Sequence, residues 1–200
     1  MEIKLAVDAR GNEVRAYDTR MDIEDGKLRG YAAVFDTLSV DMGGWKERIK
    51  RGAFAKDLAA GADVRALWQH DPSYVLGRSK AGTLQLAEDI HGLRYVADPP
   101  DTQWARDAVT TIKRGDVDQS SFAFRTLTDD WNVEDGWLVR TVVEARLFDV
   151  SPVTYPAYEQ TSVSARSVTI ELPKGCDSDS ARLAIDSMRR RLEIAEAENF

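Results

Sequence analysis

The sequence predicts a mainly β domain of the α+β class, a closed or nearly closed antiparallel barrel with flanking helices. Three observations carry this expectation. Short segments rich in β-branched and aromatic residues recur from Lys27 to Phe148, separated by turn signals such as Gly43-Gly44, Pro99-Pro100 and Asp135-Gly136. Helical spacing is confined to a few stretches. Strands this numerous also leave edges that invite pairing with other chains unless the sheet closes on itself or is covered.

The elements follow in order. Residues 1–26 are mixed and charged, with weak alternation at Glu2–Leu5 and Glu13–Tyr17; Asp22, Glu24 and Asp25 read as a charged loop. Lys27–Val40 reads as a strand in which Gly30 marks a bulge or a close backbone approach. Trp45–Ile49 is a short strand. Ala53–Ala60 is a short helix with Phe54 and Leu58 on one face, closed by Gly61. Val64–Gln69 is an apolar strand that gives way to a loop at His70-Asp71-Pro72, because proline turns the residue before it away from helix.

Thr83–Ala87 and Leu93–Ala97 form a hairpin around Glu88–Gly92. Asp101 or Thr102 caps a helix to about Arg114, with Trp104, Ala108 and Ile112 at helical spacing and Gly115 at its end. Ser120–Leu127 is a strand, and Asp135-Gly136 joins Asp129–Val133 to Trp137–Phe148 as a second hairpin. After Arg166 the character changes. The expected organisation is one domain over 1–166, a linker over 167–180, and a C-terminal helix or tail over 181–200.

Composition narrows the classes of function. Of 200 residues, 43% are hydrophobic and 30% charged, and no apolar run approaches the roughly 20 residues that span a bilayer. The N-terminus lacks the basic start and apolar centre of a signal peptide. Cys176 is the single cysteine, which rules out an internal disulfide and a cysteine-based metal site and suggests a reducing interior. A net charge of −7 argues against general nucleic-acid binding, since phosphate backbones are held mainly by Lys and Arg. The five tryptophans therefore read as packing rather than as a base-stacking platform.

Only two histidines are available as a near-neutral base. His70 ends a strand. Ser120 and Ser121 open another strand after a turn, and a serine hydroxyl becomes a useful nucleophile once a neighbouring base takes its proton. From the residues alone, His70 could equally be a structural hydrogen-bonder and the serines local caps. His91 reads as a solvated turn residue, and with Glu88 and Asp89 it would give a metal too few ligands.

A resemblance adds to this reading. In order along the chain stand GYAAVFD (30–36), RGAF (51–54), LWQHDPSYVLGR (67–78), GTLQL (82–86), GLRY (92–95), SFAF (121–124) and EARLFDVSPVTYPAY (144–158). From Gly30 to about Arg166 the chain resembles the tailed-phage prohead maturation serine proteases, related to the herpesvirus assemblins. The resemblance implies an assemblin-like barrel, His70 as catalytic base and Ser121 as nucleophile. Ser120 is set aside, because the family motif places serine directly before the aromatic residue; the family more often has glycine where this chain has Ala123.

Relatives place the third member on a strand after the nucleophile. No histidine follows His91, so that member must be acidic here. Glu144 is taken ahead of Asp149, which has the opposite strand parity and should face the other side unless a bulge intervenes. The bland alternative for Glu144 is a surface ion pair with Arg125 or Arg140. The loop Asp149–Thr154 is the expected source of an oxyanion donor, with Val153 as the candidate because Pro152 has no N–H.

The function so implied is peptide hydrolysis through an acyl-enzyme, without metal or cofactor. Its substrates would be scaffold, or the scaffolding segment of the major capsid protein, and the enzyme itself, inside an assembling procapsid in the host cytoplasm. Self-association as a homo-oligomer is a further expected partner mode; nucleic acid and membrane are not expected partners. The rivals are a catalytically inactive assembly or scaffold protein of the same fold, and a metal-assisted hydrolase.

Overall fold

The computed structural model describes residues 2–155 and 166–171, apart from positions 9, 18, 20 and 43, with 2–6 and 166–171 described through backbone pairing. Residues 167–171 of the expected linker, 167–180, lie in a strand, Arg166–Glu171; the rest of it and the expected C-terminal helix or tail, 181–200, lie outside the described residues. Among the described residues the chain is mainly β, with two short α-helices, α1 (Ala55–Ala59) and α2 (Gln103–Arg114).

Turn chemistry organises the strands. Asp135 and Gly136 both have positive φ (49° and 76°), the backbone that a two-residue hairpin loop requires. They join β10 (Gln119–Glu134) to β11 (Trp137–Val153), the longest of the described strands. The separate segments expected at Ser120–Leu127 and Asp129–Val133 are thus one strand, bent by register shifts around Thr126–Asp129. Asp25-Gly26 makes the same kind of turn (φ 51° and 76°) between β3 (Asp22–Glu24) and β4 (Lys27–Val34), so the expected charged loop is a hairpin.

The larger sheet runs β12 (Arg166–Glu171), β1 (Glu2–Val7), β2 (Glu13–Tyr17), β10, β11, β6 (Arg65–Trp68), β7 (Asp71–Arg78), and β5 (Trp45–Ile49) also pairs with β11. β5 and β6 run parallel to β11; the other pairs are antiparallel. The smaller sheet is β3-β4-β9-β8, with β8 at Leu84–Glu88 and β9 at Gly92–Ala97.

The expected closed or nearly closed barrel is therefore corrected to two open sheets among the described residues. Edge protection comes from other devices. β3 is only three residues long. Strand β7, at the edge among the described residues, carries Pro72, and residues 72–74 have no partner on β6 between the pairs Trp68↔Asp71 and Leu67↔Val75.

The core lies between the sheets. Phe122 and Phe124 of β10 stack 5.0 Å apart, and Phe54, just before α1, meets them edge-on at 5.8 and 6.4 Å. Val142, Ala145, Leu147 and Val150 of β11 join Leu28, Leu93 and Tyr95 of the smaller sheet in the same cluster. Gly30 shows why glycine interrupts β4: a Cβ there would lie 3.1 Å from Met21 Cγ and 3.2 Å from the Tyr95 hydroxyl. The bulge follows, between Tyr31 and Ala33.

Candidate active site

The site is built on β10, β11 and the tip of the β6–β7 hairpin. Side chains alternate along β10. Ser120, Phe122 and Phe124 face the core, where the Ser120 hydroxyl lies 2.9 Å from the Tyr95 hydroxyl. Burial pushes the Tyr95 phenol upward, so it stays protonated. Ser121 points to the opposite face. It is 1% exposed and stands in register with Ser151 of β11 and Ala16 of β2.

His70 arrives by a different turn. Gln69 and His70 form a two-residue loop between β6 and β7, with φ of 56° and 59°. Neither is glycine, and such backbone is uncommon for residues with a side chain. Asp71-Pro72 then opens β7 rather than a loop. The turn projects the imidazole over β10 and β11: Nε2 lies 2.6 Å from Ser121 Oγ, and Nδ1 lies 2.6 Å from Asp149 Oδ1.

Asp149 reaches this face because β11 carries an extra residue. Ala123 pairs with Asp149 and Phe124 with Leu147, leaving Phe148 without a partner. Core-facing residues pass from Ala145 and Leu147 to Val150, and Asp149 and Ser151 turn toward Ser121. Asp149 is 2% exposed, and its Oδ1 also accepts a hydrogen bond from Ser151 Oγ at 2.9 Å.

Glu144 does not share this cluster. Its carboxylate pairs with Lys56 Nζ at 2.5 Å beside α1. The structure brings Asp149, and not Glu144, to His70; the condition that a bulge would realign Asp149 is met at Phe148. Nor does Glu144 pair with Arg140, which is buried among Glu13, Glu47 and Asp129. Val153 ends β11 in register with Gln119.

Chemically, the arrangement can move one proton. An ionised Asp149 only accepts hydrogen bonds, so neutral His70 donates Nδ1–H to it and presents the Nε2 lone pair to Ser121. The Ser121 hydrogen has a second acceptor, the Arg15 carbonyl at 2.9 Å. When His70 is protonated, Nε2–H donates to Oγ and the hydroxyl hydrogen turns to Arg15. Among the described residues, no group of His, Cys, Asp and Glu could hold a metal ion, and no helix is long and apolar enough to cross a membrane.

A family model described as Caudovirus prohead serine protease matches residues 12–174. The chain belongs to that family. No curated protein and no solved structure matches it. As a prohead serine protease it is a peptide hydrolase of procapsid maturation, and membership implies interaction with capsid or scaffold proteins within the procapsid. The family match begins before β2 and ends after β12, so it takes in all three strands that carry Ser121, Asp149 and the Arg15 carbonyl.

Sequence reasoning missed Ser151, Gln69 and the Arg15 carbonyl as neighbours of the site. Ser151 had a readable signal, since it lies two residues beyond Asp149 and shares its face. The Arg15 carbonyl had none, because only the β2–β10 register brings it to Ser121.

Proposed function

We propose that Ser121, His70 and Asp149 are the catalytic triad of an endopeptidase that cleaves scaffold, or the scaffolding segment of the major capsid protein, and itself during procapsid maturation in the host cytoplasm. The observation that carries this is one imidazole within 2.6 Å of both a serine hydroxyl and a buried carboxylate. Ser121 Oγ attacks the scissile carbonyl carbon as its proton passes to His70 Nε2. The same proton then goes to the leaving amine, the peptide C–N bond breaks, and an acyl-enzyme remains. Water, deprotonated by His70, releases the acid product. Asp149 holds the imidazole in its Nδ1–H tautomer and stabilises the imidazolium. Glu144, committed to Lys56, has no step in this scheme.

One observation favours the rival, an inactive shell or scaffold protein of the same fold: Ser121 is only 1% exposed, so substrate entry requires its cover to move. Intact masses of shell proteins assembled with the wild-type chain and with Ser121→Ala decide between the two. Shortened shell proteins with wild type and full-length ones with the variant support the protease. Identical full-length masses with both support the rival.

A further inference from the structure

The hairpin that carries His70 is weakly tied to the sheet that carries its partners. β6 pairs with β11 only through Asp149↔Arg65 and Val150↔Ala66, so the tip at Gln69–His70 extends past the last paired residue. β7, on the other side of the tip, is an edge strand among the described residues. Something else must fix the turn against the end of β11.

Gln69 makes that connection three times. Its backbone N–H donates to the Pro152 carbonyl at 3.1 Å. Its side-chain Nε2 donates to Thr154 Oγ1 at 2.6 Å, and its Oε1 accepts from the Thr154 N–H at 3.2 Å. The residue type is informative. A two-residue loop with both φ positive favours Gly, Asn or Asp, and glutamine at φ 56° is strained. A side chain of this length, carrying both a donor and an acceptor, is what reaches both polar groups of Thr154.

We infer that Gln69 is a positioning residue that clamps the His70 turn to the end of β11, holding the imidazole between Ser121 and Asp149 through the catalytic cycle. This rests on the triad reading above. The need for it is chemical. Once Ser121 is acylated it no longer donates to Nε2, and His70 would keep only its bond to Asp149 while it activates water. A misplacement of about 1 Å at such a group can cost roughly a hundredfold in rate.

The test uses the full chain and a peptide spanning the shell-protein cut mapped by intact mass. Gln69→Ala should lower kcat by about 10²-fold with KM little changed. Gln69→Glu should restore most of it, because a carboxylate still accepts from the Thr154 N–H and from a rotated Thr154 hydroxyl. Thr154→Val, which removes one of the two side-chain bonds, should lose activity in the same direction but less. The far-downfield proton signal of His70 Nδ1–H, hydrogen-bonded to Asp149, should broaden into exchange in Gln69→Ala and remain sharp in Gln69→Glu; a residue that only stabilises the fold would not move it. Wild-type kcat and a sharp Nδ1–H signal in Gln69→Ala would overturn the clamp, as would a loss that Gln69→Glu does not rescue. Ser121→Ala separates the two layers. If it still cleaves, the triad fails and the clamp with it; if it is inert while Gln69→Ala is unaffected, only the clamp fails.

Discussion

Asp149 meets His70 because Phe148 has no partner on β10. Without that extra residue, strict alternation would turn Asp149 toward the core and leave Glu144 on the outward face. Asp149→Asn should therefore keep the fold but lower kcat by about 10⁴-fold, since an amide stabilises the wrong imidazole tautomer. Glu144→Gln should leave kcat unchanged, because it removes only an exposed ion pair with Lys56. Peptide-cleavage kinetics on the two variants separate the assignments. His70 and Ser121 were legible as candidates from their places at strand ends and from the LWQHD and SFAF blocks. The contact of Asp149 with His70 was not, since a bulge is set by how two strands pair and has no signature in β11 alone.

At the scale of elements, α1 serves as a patch for a gap in the sheet. β5 covers β11 over Leu138–Val142 and β6 covers it at Asp149–Val150. Between them the Ala145 N–H donates to the Ala53 carbonyl, and the Leu147 N–H donates to the Asp57 carboxylate at 2.9 Å. Asp57 thus stands in for a strand one residue before the bulge that aims Asp149. Asp57→Ala orphans the Leu147 amide and should cost about 1–3 kcal/mol, read as a lower urea midpoint with an unchanged slope. The Asp135-Gly136 hairpin was readable from its dipeptide, and the same rule at Asp25-Gly26 would have found β3. The Gln69–His70 turn could not be found that way, because it lacks the glycine that signals the geometry. β7 was hidden by Pro72, which reads as a strand breaker although an edge strand tolerates it.

For the molecule as a whole, a buried charge cluster joins β2, β5, β10 and β11. Arg15 pairs with Glu47 at 2.6 Å, and Arg140 pairs with Glu13 at 2.5 Å, Glu47 at 2.9 Å and Asp129 at 2.6 Å. Arg15 also supplies the carbonyl beside Ser121, so this cluster braces the strand flanking that serine. Glu47→Ala leaves two buried guanidinium groups undercompensated and should cost about 3–5 kcal/mol in denaturant titration. Burial opposes ionisation of Glu13, but Arg140 and Arg15 outweigh it and hold its carboxyl below the ordinary 4.5. A folded value below the unfolded one gives stability that is present above pH 4.5 and lost as pH falls through the lowered value. Glu13→Gln should flatten that acid limb of stability against pH. The sequence showed these charges only as part of its 30% charged residues, because their partners are distant in the chain and meet only once the sheet has formed.

The proposed triad of Ser121, His70 and Asp149 is tested most directly by a serine-directed fluorophosphonate, with the modified peptide found by mass spectrometry. One adduct is expected, on Ser121, formed readily by the wild type and by Glu144→Gln but very slowly by His70→Ala and Asp149→Asn. An adduct on Ser120 or elsewhere, or labelling of Ser121 that proceeds at the wild-type rate without His70, would contradict it.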